Sequence, residues 1–183
     1  MKIPFLPTQH KAVPLAGLAV VLLCLLFQAR HLHLTGFEHR SNDEYLYFKS
    51  THEMLQSGDF LSPTFFGENR FEKPILFYWL ILLSYKIFGI SWVAARSISV
   101  FFAFLSVLFT WLISRQFFDE RISFLGGMLL ITMPLFFAHT RTAVPDMTLN
   151  FFVVLGFYAM IKFVRTTRKK FSTLLFTSCA LDS

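Results

Sequence analysis

Charge is missing from three long stretches of the chain: residues 97–114, 122–138 and 147–161 contain no Asp, Glu, Lys, Arg or His. They lie within apolar blocks at 13–29, 75–90, 92–114, 122–139 and 144–164, and another block begins near Phe171. Such runs, rich in Leu, Phe and Val, favour the helix in lipid because a helix satisfies its own backbone groups. Only 15% of the 183 residues are charged, against roughly a quarter in soluble domains. The pattern predicts an all-α, polytopic membrane protein with a single transmembrane domain over 1–183.

The net charge of +6 does not indicate a nucleic-acid partner. Its Lys and Arg fall in short clusters between apolar blocks, where they report membrane orientation. Cys24 and Cys179 stand in apolar surroundings without metal-ligand spacing, and such burial disfavours the reactive thiolate. The opening "MKIPFLPTQHK" and the block at 13–29 resemble a signal peptide in layout. "CLLFQARHLH" offers no small-x-small cleavage site, so 13–29 is expected to be an uncleaved first span.

Charge then orders the spans. If every block crossed, Arg115, Arg121 and the cluster Arg165–Lys170 would all lie outside, against the positive-inside tendency. Block 75–90 is the one to withdraw. As a helix it measures about 24 Å, short of a hydrocarbon core of roughly 30 Å, and it carries Tyr78, Trp79, Tyr85 and Lys86. Laid in the interface, it moves every basic cluster inside and puts 30–74 and 139–146 together outside. The expected spans are 13–29, 92–114, 122–139, 144–164 and a partial one at 171–183. The outer loop, 30–91, carries interfacial helices at 42–56 and 75–90.

That loop opens with "SNDEYLYF". Ser41 and Glu44 have capping-box spacing, each positioned to satisfy an orphan amide of the other. Ser57-Gly58 supplies a helix stop. Tyr45, Phe48, His52 and Leu55 share a face suited to a membrane surface. "FFGENRF" reads as a turn, and His31, His33 and His39 lack tight metal spacing.

Each candidate for chemistry has a structural alternative. Glu44 fits a cap, and Asp43 suits the positive end of the helix dipole or a general base toward a hydroxyl or amine. Glu72-Lys73 is either a solvated ion pair or a metal ligand beside a phosphate-binding cation. Arg141 and Asp146 are either a snorkelling cation and a helix cap or functional groups facing the outer loop. Arg96, near the outer end of block 92–114, is most simply read as snorkelling.

The ordered set Asp43-Glu44, Glu72-Lys73-Pro74, "AAR" at 94–96, Arg141 and Pro145-Asp146 resembles the protein mannosyltransferase and aminoarabinose–lipid A transferase group. These are membrane glycosyltransferases of the GT-C class. The resemblance extends over about residues 15–165. It implies the N-terminal part of a GT-C helix bundle with juxtamembrane helices in the first outer loop. It also implies transfer of a sugar from a polyprenyl-phosphate donor to a lipid, protein or glycan acceptor, at the outer (periplasmic) face of the inner membrane, with the N-terminus cytoplasmic.

By that resemblance Asp43 and Asp146 are the catalytic acids, Asp43 being the base. Lys73, Arg141, Glu44 and Arg96 belong to substrate binding, and Glu72 lies near a divalent metal ion. This chain reads Lys73-Pro74-Ile75 where many relatives show Lys-Pro-Pro. Relatives also continue through further spans, so the chain is expected to be a truncated N-terminal portion. The rival classes are a transporter or flippase fragment and a non-catalytic membrane subunit. Transport would place ionisable groups within the spans, where this chain has few.

Overall fold

A computed structural model describes residues 42–181, with side chains to Thr167. The expected first span at 13–29, Ser41 of the proposed capping box, Cys24 and the Cys179 side chain lie outside the described residues. The elements in order are α1 (Asn42–Ser57), β1 (Thr64–Phe65), β2 (Glu68–Asn69), α2 (Ile75–Phe88), α3 (Trp92–Ser114), α4 (Glu120–Thr132), α5 (Pro134–Thr140) and α6 (Asp146–Leu181). The protein is an all-α membrane fold with one very short hairpin.

α1 stops at Ser57, where Gly58 takes φ +73°, a backbone state that glycine enters without a Cβ penalty. Its buried face is Glu44, Tyr47, Ser50, Thr51 and Met54. The face expected to meet the membrane is used differently. Phe48 stacks on Trp92 at 3.9 Å and 14°, and Tyr45 meets Phe65 edge-on. α1 is therefore packed on both sides.

"FFGENRF" forms an antiparallel hairpin that pairs Thr64 with Asn69 and Phe65 with Glu68. Phe66 and Gly67 both have positive φ, 53° and 82°, the two-residue turn whose twist suits flanking strands. Glu53 of α1 holds it in place. Its carboxylate accepts from Thr64 Oγ1 at 2.9 Å and from Phe66 N at 3.0 Å, and Lys49 lies 3.3 Å away.

α2 begins after Pro74 and ends at Gly89, φ +78°. At 14 residues it is about 21 Å long, too short to cross a bilayer. It packs Phe77, Tyr78, Ile81 and Tyr85 against Tyr47 and Met54 of α1 and Ala94 and Ala95 of α3.

α3, capped by Ser91, and α6 over Asp146–Thr167 are long and apolar enough to span. Small residues along α3 (Ala95, Ser99, Ala103, Ser106) are buried, allowing close helix approach. Phe102, Val107, Ile131, Phe136, Met147 and Phe151 fill the second core between α3 and its neighbours. Phe101, Phe152, Phe157 and Phe163 are exposed.

Two expected boundaries need correction. Block 122–139 is not one straight helix: α4 and α5 meet at a bend of 67°. Pro134 lacks an N–H and excludes the helical state for its predecessor, and Met133 accordingly sits at φ −64°, ψ 127°. The second correction concerns 165–170. The chain was expected to end a span there and start a partial one at 171, yet α6 runs unbroken for 36 residues. No Gly or Pro occurs between Phe157 and Leu181, and Arg and Lys are good helix formers. A basic cluster marks an interface without stopping a helix.

Candidate active site

The start of α1, the start of α3 and the loop from α5 to α6 meet at one end of the bundle. Glu44 joins them. Its Oε1 accepts from Arg96 Nε at 2.6 Å and from Ala143 N at 2.8 Å, and its Oε2 accepts from Arg96 Nη2 at 2.9 Å. Glu44 is 0% exposed and Arg96 2%. One carboxylate thus links three segments that are 52 and 99 residues apart in sequence. Ser99 adds a second tie, donating to Thr142 O at 2.7 Å.

These distances correct two readings. Arg96 does not snorkel: its guanidinium turns inward to Glu44 and lies over the Trp92 ring at 5.9 Å. The described partners of Glu44 are tertiary, so its role extends well beyond capping its own helix. Neither side chain presents surface to a ligand, which does not match direct substrate binding.

The neighbouring carboxylate behaves differently. Asp43 is exposed and has no ion-pair or hydrogen-bond partner among the described residues. Burial of Glu44 fixes the first turn of α1, and Asp43, one position earlier, is thereby turned to solvent. Asp146 opens α6 and is 54% exposed, with His139 Nδ1 3.8 Å from its Oδ2. Arg141 is half-buried, its guanidinium over Phe137 at 5.1 Å.

Tyr47 feels the charge of both acids. Its ring is 2% exposed between Phe77 and Tyr78, and its hydroxyl has no partner among the described residues. Burial, foremost, and then Tyr78, Asp43 and Asp146 push this phenol well above its ordinary range, while Arg70 pulls the other way. Asp43, Asp146 and Arg70 therefore all lie within electrostatic range of one buried hydroxyl, which stays protonated as a donor.

The segment 70–74 lies beside them. Arg70 Nη2 is 3.1 Å from Glu72 Oε2, and the Glu72 side chain is 73% exposed. Lys73 is half-buried and has no ion-pair or hydrogen-bond partner among the described residues. The partner of Glu72 is Arg70, not Lys73. The metal expectation fits less well. Glu72 is engaged by Arg70, and no group of three or more His, Cys, Asp or Glu among the described residues is placed to hold a metal.

Sequence reasoning missed Arg70 and Tyr47. Arg70 stands three residues before Lys73, and Tyr47 one helical turn after Asp43, so both spacings were visible. Their burial and missing partners were not.

Cations also gather at the opposite end of α3. Arg115 pairs with Glu120 at 2.8 Å, and Arg165 donates to Gln116 O and covers the Phe117 ring. The acids and the basic clusters are thus separated by the length of α3, about 34 Å.

The fold has a solved counterpart, ArnT from Cupriavidus metallidurans, crystallised bound to undecaprenyl phosphate. The two share 24% identity at a TM-score of 0.61, over 74% of this chain and 24% of that one. An undecaprenyl phosphate-alpha-4-amino-4-deoxy-L-arabinose arabinosyl transferase of Yersinia enterocolitica is 31% identical over 91% of this chain and 31% of its own length. A second transferase of that name, from Pseudomonas fluorescens, is 38% identical over 69% of this chain and 21% of its own. The chain spans about a quarter of the length of these curated relatives. The family model for dolichyl-phosphate-mannose-protein mannosyltransferases matches residues 72–181, more than half of the chain. The chain belongs to the dolichyl-phosphate-mannose-protein mannosyltransferase family of membrane glycosyltransferases.

Proposed function

We propose that this chain forms the donor-binding and base-bearing part of a glycosyltransferase that takes a sugar from a polyprenyl-phosphate carrier. The reaction runs at the outer face of the inner membrane, with the basic clusters of α3 and α6 on the cytoplasmic side. The observation that carries this reading is that a cation and a carboxylate, Lys73 and Asp43, both stand without ion-pair or hydrogen-bond partners among the described residues. The relatives named as undecaprenyl phosphate arabinosyl transferases support the carrier class.

The chemistry follows from those two groups. A hydroxyl or amine of the acceptor attacks the anomeric carbon, and the bond from that carbon to the phosphate oxygen breaks. Asp43 takes the acceptor proton as it attacks. Lys73 offsets the charge that builds on the departing phosphate. Asp146, held near His139, and Arg141 line the second outer loop, where they orient donor or acceptor. Glu44 and Arg96 act from behind, fixing the backbone that carries Asp43 and the loop that carries Asp146. The acceptor class is a lipid, a protein or a glycan.

The test is donor turnover. Membranes containing the protein, supplied with a polyprenyl-phosphate-linked sugar and acceptor-bearing envelope material, should release free polyprenyl phosphate. Lys73→Gln should lower that release about a hundredfold, on the order of one lost charge-stabilising contact. Equal release from the variant and the wild type would count against the assignment.

A further inference from the structure

The role of Arg70 goes beyond what the family pattern assigned. Its backbone N–H donates to Pro63 O at 2.7 Å, which fixes it at the exit of the hairpin. Its guanidinium lies 5.9 Å from the Phe65 ring, and its Nη2 forms an ion pair with Glu72 at 3.1 Å. The Nε atom is buried and has no hydrogen-bond partner among the described residues. A guanidinium kept for structure alone has its buried donors satisfied, since an orphaned donor costs about 1–3 kcal/mol.

Arg70 stands three residues before Lys73, and its charge opposes the upward shift of the Tyr47 and Tyr78 phenols. Tyr47 Oη is a second orphaned donor. Two carboxylates without a close cation would repel an anionic substrate, and Lys73 brings one charge only. Arginine adds a planar donor edge that matches phosphate, which a lysine does not.

We propose that Arg70 is a second phosphate-binding cation beside Lys73, the orphaned Nε–H of its partly exposed side chain donating to a phosphate oxygen of the donor while Glu72 holds the guanidinium in place. This rests on the functional reading above and deepens it. The ligand chemistry is a phosphate ester carried on a polyprenyl chain, or the phosphate group by itself.

The experiment measures binding to the full chain in neutral-lipid nanodiscs by native mass spectrometry. The probes are undecaprenyl phosphate, undecaprenol and inorganic phosphate, and the variants are Arg70→Gln, Arg70→Lys and Lys73→Gln. Wild type should prefer undecaprenyl phosphate to undecaprenol about tenfold or more, and Arg70→Gln should lose about tenfold in affinity for it. Arg70→Lys should fall between the two, because it keeps the charge and loses the fork.

Competition by inorganic phosphate that disappears in Arg70→Gln would assign recognition to the phosphate alone. Absence of competition, with the tenfold loss intact, would assign it to phosphate and tail together. Both outcomes support the proposal. Wild-type affinity in Arg70→Gln alongside weakened Lys73→Gln would overturn the role of Arg70 and leave the functional reading standing. Equal binding of undecaprenol and undecaprenyl phosphate by wild type would overturn both. Should Arg70→Gln fail to fold, Arg70→Lys decides, and full affinity there overturns the proposal.

Discussion

Glu44 and Arg96 meet as a buried, two-pronged ion pair, 2.6 and 2.9 Å between their atoms, with neither side chain more than 2% exposed. The pair joins α1 to α3, which is long and apolar enough to span, and Ala143 N brings in the loop between α5 and α6. Burying two charges costs several kcal/mol per ion, which good geometry and added hydrogen bonds offset. Such a pair contributes less to total stability than to fixing one arrangement. Here the arrangement fixed is that of α1, which carries Asp43, against α3 and the loop that leads to Asp146.

Arg96→Ala should be strongly destabilising, by about 3–5 kcal/mol, because it strands a carboxylate in the interior. Glu44→Leu combined with Arg96→Met should cost clearly less than the sum of the single changes. Denaturant unfolding of the reconstituted protein checks both. A fully additive double variant would mean that the two side chains do not act as a unit.

Glu53 gives the hairpin a pH response. Burial opposes its ionisation, yet the bonds from Thr64, Gly67, Phe66 and Lys49 together hold the carboxyl below its ordinary range. A carboxyl with a depressed folded-state pKa stabilises fully above its unfolded value and loses that contribution as pH falls through the folded one. Protection of the Phe66 and Gly67 amides from hydrogen exchange, corrected for intrinsic rates, should therefore decline only below the ordinary carboxylate range. Glu53→Gln should flatten the response.

Gly67→Ala should cost about 1 kcal/mol of hairpin stability. The added Cβ meets nothing within 4 Å, so the cost comes from φ +82° and not from crowding. The same exchange protection reads it, as local opening around Phe66. A change at Gly126, where a Cβ also finds open space and φ is not positive, should leave the hairpin untouched.

Much of this fold is legible in the sequence because lipid permits few solutions. Uncharged stretches such as 97–114 give helices, and short, aromatic 75–90 gives one of only 14 residues. Single residues explain the misses. Pro134 was visible but was absorbed into an apolar block, and the charge of Arg165–Lys170 was mistaken for a break that no Gly or Pro supplies. Arg96 was harder. Local sequence gives a cation near a span end only the interface as a partner, since Glu44 lies 52 residues earlier. Of the adjacent acids Asp43 and Glu44, spacing distinguished a structural partner from an exposed one, but not where the structural partner points.

Sidedness has its own test. A cysteine at position 119, between α3 and α4, should be labelled only from the cytoplasmic side, and one at position 59, after α1, only from outside. Labelling of both from the same side would contradict the grouping of acids at one face and basic clusters at the other.

The central claim is that Asp43 performs chemistry while Glu44, beside it, holds structure. The direct measurement is release of polyprenyl phosphate by Asp43→Asn, taken together with its unfolding stability. Asp43 is exposed and has no partner among the described residues, so the change should leave stability within about 0.5 kcal/mol. Turnover should fall by roughly a hundredfold to ten-thousandfold, the contribution of a lost general base. Turnover within twofold of wild type at unchanged stability would contradict the account.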